Sequence, residues 1–229
     1  LVVNFETVIY RARLAVYEAE RIGLPLREFI PMLVRMEDHR FFHHRGISLA
    51  AIAAAAWRYI TRGKRSGGST LTQQLVRSLF IVDLRLVFRR KPVEMILALW
   101  FERFFSKTEI AKLYICGVRY EHGAIGINEA LAHFLEDARK KPTKAELFFL
   151  FERLSNVRSD LLPHKVAQNI RKLIDAGILA QKEVSKILQV FRRQIDAGRV
   201  KLTSPDSFSV LATLVSMGST VRRNTPSIQ

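Results

Sequence analysis

The chain has 229 residues, 48% of them hydrophobic, and its 37 Lys plus Arg against 21 Asp plus Glu give a formal charge of +16. That length and apolar content exclude a disordered chain and suit one sizeable globular unit, or one core with a small appended lobe. The charge calls for an anionic partner, with nucleic acid, an anionic membrane surface and a phosphorylated substrate as the candidates. Cys116 has no second cysteine to pair with and reads as a small buried residue. No run of about 18 apolar residues is present, the nearest being Ile47 to Trp57 and Met95 to Phe101, so nothing in this sequence spans a bilayer as a helix. The opening at Leu1, without a methionine, suggests a fragment, so the absence of an anchor here says little about the full-length protein, and any anchor would lie outside this chain.

Apolar residues recur at three and four positions along most of the chain, and no alternating strand pattern stands out, so a mainly α fold is expected. The periodicity predicts helices at 6 to 21, 26 to 38, 48 to 61, 70 to 80, 92 to 104, 107 to 116, 127 to 138, 143 to 154, 164 to 175 and 181 to 196. Three helix starts carry a hydroxyl three residues before Glu or Gln: Thr70 with Gln73, Ser106 with Glu109, and Thr143 with Glu146. Pro92 suits a first helical turn. Residues 1–204 read as one domain, and the Ser/Thr-rich stretch 205–229, with Pro205, Pro226 and Arg222-Arg223, reads as a flexible tail.

The loop after the second helix concentrates polar chemistry. Glu37-Asp38-His39-Arg40-Phe41-Phe42-His43-His44-Arg45-Gly46 packs acidic, aromatic and imidazole groups into ten residues, a composition suited to a cleft. Glu37 ends a helix beside Met36 and Phe41, surroundings that favour a general acid or base. Asp38 and His44 fit the role of orienting the loop by hydrogen bonds, and His39 and His43 read equally as surface residues. Next, Gly67-Gly68-Ser69-Thr70-Leu71-Thr72-Gln73-Gln74 puts backbone N–H groups and hydroxyls at a helix start, the physical basis of a phosphate cradle. Its Thr72-Gln73-Gln74 stretch puts polar side chains where an apolar helix face should begin. Third, Arg89-Arg90-Lys91-Pro92-Val93-Glu94 joins cations to a carboxylate in a helical first turn, where the dipole alone also favours Glu94.

Together these segments resemble the signature motifs of the peptidoglycan glycosyltransferases of family 51. The first is Glu-Asp-x-x-Phe-x-x-His-x-Gly, the second Gly-Gly-Ser-Thr with the Gln pair, and the third Arg-Lys-x-x-Glu. Glu94 follows Glu37 by 57 residues, close to the spacing of the two family glutamates. Arg77 falls where the family has a substrate-binding Lys, and Arg85 matches a further family cation. The resemblance runs from about Phe29 to Asp196. Ser106-Lys107-Thr108-Glu109-Ile110 and Gly123-Ala124-Ile125-Gly126 resemble the fourth motif, with Lys112, Cys116 and Glu121 departing from it; Glu121 stands where glycine is usual. In the fifth, Glu146 is kept, but Phe148 to Asn156 lacks most of the small residues and the proline.

The resemblance implies a bilobed, lysozyme-like helical fold, with a membrane-proximal jaw at about 81–105. There Val82, Leu84, Leu86, Val87 and Phe88, interleaved with Arg85, Arg89, Arg90 and Lys91, suit an anionic lipid interface and equally a core-packed segment with solvated cations. It implies inverting polymerisation of lipid II into β-1,4-linked glycan, with Glu37 as base on the acceptor 4-hydroxyl. Glu94 supports the leaving pyrophosphate directly or through Mg2+ or another divalent cation. Asp38, His44, Gly68, Ser69, Thr70, Gln73, Gln74, Arg77, Arg85, Arg90 and Lys91 then bind substrate, and no nucleotide takes part. The implied partners are lipid II, the growing lipid-linked chain, an anionic membrane surface and other cell-wall synthesis proteins, at the extracytoplasmic face of the bacterial plasma membrane.

A lysozyme-like muramidase or lytic transglycosylase shares the fold and a catalytic glutamate, but cleaves an uncharged link and has no use for the Arg-Lys cluster. A catalytically impaired lipid II-binding relative is the third reading. A nucleic-acid binder accounts for the charge alone, with no recognition motif beside it.

Overall fold

The computed structural model describes residues 4–62, 68–80, 87–136, 141–155 and 160–220. The described residues are mainly helical, as the periodicity predicts: α1 Phe5–Arg21, α2 Leu26–Glu37, α3 Leu49–Arg62, α4 Leu71–Phe80, α5 Val87–Phe104, α6 Lys107–Gly117, α7 Gly126–Leu135, α8 Lys144–Ser155, α9 Pro163–Asp175, α10 Val184–Asp196 and α11 Ser207–Thr220. The two strands seen among them, β1 Asp160–Leu161 and β2 Lys201–Leu202, pair in parallel over two residues each. All three expected capping boxes form, with Thr70, Ser106 and Thr143 each exchanging bonds with the side chain three residues on. No described helix is long and apolar enough to cross a membrane.

The chain divides into two compact units, Leu1–Arg119 with Ile125–Asn128, and Tyr120–Ala124 with Glu129–Gln229. In the first, α6 is the central helix and packs on α1, α2 and α4. Its sequence explains this. Ile110, Ala111, Leu113, Tyr114, Ile115 and Cys116 are all buried, so almost every face is covered, as for a helix apolar all round. Burial pushes the Cys116 thiol up to about 12, with the Glu20 carboxylate adding to the shift. Around it an aromatic ladder runs from Phe5 through Phe80 and Phe101 to Phe105, with centroids 5.2, 6.3 and 4.3 Å apart.

Two expectations need correcting. Helix α5 begins at Val87, so Pro92 stands inside it rather than at its first turn. A proline that close to the N-terminus forfeits only the one bond its N–H would have made, which the helix tolerates better than a mid-helix break. Within 205–229, Ser207–Thr220 is helical where a flexible tail is expected, while 221–229 lie outside the described residues. Leu211 and Val215, four residues apart, are buried as α11 packs on α9, so a two-residue apolar stripe outweighs the Ser/Thr content.

In the second unit α8 packs on α10 through Phe149 and Phe191, and Phe134 of α7 meets Phe149 from the other side, both pairs edge to face at 5.2 Å. Beside these rings Arg153 is fully buried, with its guanidinium 5.5 Å from the Phe149 centroid. It bonds the Glu121 carboxylate at 3.0 Å and also pairs with Glu152, both carboxylates being fully buried. Burial raises the Glu152 pKa above its ordinary value, against the opposing pull of Arg153.

Candidate active site

The first unit places most of the sequence-predicted site residues on three helices, α2, α4 and α5, and two turns. The loop after α2 is fastened by Asp38, whose Oδ2 accepts from His44 Nε2 at 2.9 Å and from the Leu71 backbone N–H at 3.0 Å. One carboxylate therefore holds the loop closed and ties it to the first turn of α4, where a negative charge is favoured. The Thr70 hydroxyl donates to the Gly46 carbonyl at 2.6 Å, a second tie between the same two segments. Gly46 has φ +80°, and a Cβ there would lie 2.7 Å from the Ala98 carbonyl oxygen, so only glycine lets the loop lie against α5. Gly68 is equally confined, since its Cβ would come 2.9 Å from Ala55 Cβ on α3.

These bonds narrow one reading of the second motif. Three of its N–H groups are engaged within the protein: Thr70 N–H donates to Gln73 Oε1, Leu71 N–H to Asp38 and Gln73 N–H to Thr70 Oγ1. The capping box and the Asp38 carboxylate thus take up much of the helix start.

Glu37 ends α2, half-buried, and Gln74 Nε2 donates to its Oε2 at 3.3 Å. The Gln74 amide oxygen in turn accepts from the Tyr114 hydroxyl on α6 at 2.7 Å. Three residues further along α4, on the same helix face, Arg77 Nη1 reaches Glu94 Oε1 at 3.8 Å. Helix α4 thus carries one side chain to each of the two glutamates.

Glu94 is fully buried and gathers cations. Arg90 Nε forms an ion pair with Oε1 at 2.8 Å, and Lys91 Nζ donates to Oε2 at 2.9 Å and to Ser69 Oγ at 2.6 Å. Three cations face one carboxylate here. Their side chains are 30%, 16% and 36% exposed for Arg77, Arg90 and Lys91, so an incoming anion can reach them. A divalent cation at Glu94, which the resemblance implies, would have to displace a side-chain cation, because both carboxylate oxygens already face one. The arrangement suits an acid–base carboxylate and a separate cationic patch for a leaving anion. An open cavity of about 640 Å³ lies along His39 to Ala50, lined by His39, Arg40, His43 and Ser48 among others.

Arg85 lies outside the described residues, as does Gly67. Sequence reading missed Tyr114, and it missed a supporting network in which Glu102 Oε1 accepts from Thr72 Oγ1 at 2.6 Å and from Lys107 Nζ at 2.7 Å. Lys107 Nζ also lies 4.4 Å from the Phe41 ring centroid, which seats the first motif against α6. Lys107 and Tyr114 lie in the fourth-motif segment, but most of their contacts could not be read there, because partners such as Gln74 are far away in the sequence.

The Transglycosylase family matches residues 15–175. Penicillin-binding protein 1F of Bacillus subtilis is 34% identical over 138 residues, covering 58% of this chain and 19% of that protein. Penicillin-binding protein 1A of Rickettsia bellii is 28% identical over 200 residues, covering 81% of this chain and 24% of that protein, and the 1A protein of Vibrio cholerae is 27% identical over 195 residues, covering 82% and 23%. The chain therefore spans less than a quarter of the length of these relatives. With the family matched across most of its length and the carboxylate and cation geometry in place, the chain belongs to the transglycosylase family, the peptidoglycan glycosyltransferases whose motifs it carries.

Proposed function

We propose that the chain polymerises lipid II into β-1,4-linked glycan, with inversion at the anomeric carbon and release of the lipid pyrophosphate. Glu37 takes the proton from the acceptor 4-hydroxyl as that oxygen attacks the donor sugar, and the C–O bond to the pyrophosphate breaks on the opposite side. Arg77, Arg90 and Lys91 take up the charge that develops on the departing diphosphate, with the Ser69 hydroxyl holding Lys91 in place. Glu94 keeps the three cations together against their mutual repulsion. The observation that carries this reading is α4 itself, which brings Gln74 to the base and Arg77 to the cation cluster on one face. The cluster also favours this reaction over hydrolysis by a muramidase, whose leaving group is uncharged.

The reaction is placed at the extracytoplasmic membrane surface, with growing glycan and lipid II as partners. Apolar side chains exposed on α3 support this: Leu49, Ile52, Trp57 and Ile60 recur at helical spacing, with Trp57 69% exposed. Ile96, Trp100 and Phe104 do the same on α5, which belongs to the expected jaw; residues 81–86 of that jaw lie outside the described residues.

Labelled lipid II incubated in detergent with the chain should give a ladder of glycan products on a gel, and Glu37→Gln should abolish it. A ladder that survives the substitution removes Glu37 from the base role. A wild type that binds lipid II without extending it identifies the binding relative instead.

A further inference from the structure

We propose that Tyr114 is a positioning residue for the base, acting through the amide of Gln74; this rests on the role given to Glu37 above. A glutamine side chain presents chemically opposite ends, and which end faces a carboxylate decides between attraction and repulsion. Here the Tyr114 hydroxyl donates to Gln74 Oε1 at 2.7 Å, while Gln74 Nε2 donates to Glu37 Oε2 at 3.3 Å. The three groups form a chain of donors pointing one way, from phenol to amide to carboxylate. Each bond in such a chain polarises the next, so the phenol strengthens the amide's donation to Glu37.

The geometry behind the chain is rigid. Tyr114 is fully buried on α6, the helix on which α2 and α4 both pack, and these two helices carry Glu37 and Gln74. The phenol thus refers the base to the helix on which α2 and α4 both pack. Without it, the Gln74 oxygen loses this donor, and the amide gains the freedom to turn its carbonyl toward Glu37. A carboxylate that must accept a proton from a hydroxyl in one direction then spends part of its time in the wrong orientation. The chemical step suffers, whereas binding of the lipid-linked sugars, which rests on the cation cluster, does not.

The test compares wild type, Tyr114→Phe, Gln74→Ala and the double variant in the lipid II assay, with the Gln74 side-chain NH2 resonances followed by NMR in parallel. Tyr114→Phe is expected to lower kcat about tenfold with KM unchanged. In the Gln74→Ala background the same change should have little further effect, as expected of residues acting in one chain. The amide resonances, identified by their loss in Gln74→Ala, should move toward the position of a solvated glutamine in Tyr114→Phe. Full kcat in Tyr114→Phe, or equal losses in both backgrounds, overturns the proposal. If wild type itself makes no glycan, the polymerase reading fails on its own, and the resonances decide the relay: their shift in Tyr114→Phe supports it, and their constancy refutes it.

Discussion

Two clusters of buried charge have opposite composition. Around Glu94, three cations surround one carboxylate and their heads remain partly open to solvent. Around Arg153, two carboxylates flank one guanidinium and all three side chains are sealed from solvent. Partly exposed cations can be reached by an anion. The sealed carboxylates cannot be reached in this way, and burial instead pushes Glu152 toward its protonated form. Access separates a cluster that a ligand can enter from one that it cannot.

The sharpest way to break that distinction is to remove one member of each cluster and ask what is lost. Arg153→Met leaves two buried carboxylates without their guanidinium and should cost about 3–5 kcal/mol of stability. Denaturant unfolding reads that loss, and glycan synthesis per folded molecule should be retained. Glu94→Gln releases three like charges from their common partner and should lower kcat by about 100-fold. Its melting temperature should fall less than that of Arg153→Met. A result in which Glu94→Gln mainly unfolds the protein while Arg153→Met mainly inactivates it would reverse the assignment.

The smallest effect is the most specific to the sealed cluster. Because burial raises the Glu152 pKa, the folded chain holds that proton more tightly than the unfolded chain does. Stability from this group is therefore greatest at acidic pH and declines as pH climbs above the ordinary value of 4.5 toward the raised folded value. Glu152→Gln removes the titration. Its melting temperature, followed from about pH 5 to pH 8, should decline less with rising pH than that of the wild type. An unchanged slope would show that Glu152 keeps its charge when buried.

Much of the helical frame was legible because its signals are local. Each capping box is spelled within four residues, and the three that the sequence shows all form. Motifs one to three were legible as segments, but not the bonds between them. That Asp38 caps α4, or that Ser69 holds Lys91, depends on pairs 33 and 22 residues apart. Tyr114 was given no role because a buried tyrosine on an apolar helix looks like core until its hydroxyl is followed to Gln74, 40 positions away. The departures from the family pattern teach the same lesson. Glu121 and the Phe148 to Asn156 segment read as two separate anomalies, yet Arg153 in the second binds Glu121 in the first. Helix α11 was missed for a different reason: Leu211 and Val215 give too short an apolar stripe to outweigh Ser and Thr in a composition count.

The buried Cys116 has a practical consequence. With its thiol buried and pushed up to about 12, Cys116 carries little reactive thiolate at pH 7. Since the chain has no other cysteine, it already has the chemical silence that labelling experiments usually need mutagenesis to create. A single cysteine introduced at an exposed position such as Trp57 could be coupled to a fluorophore with Cys116 left in place, and its emission would report directly whether α3 enters a lipid surface.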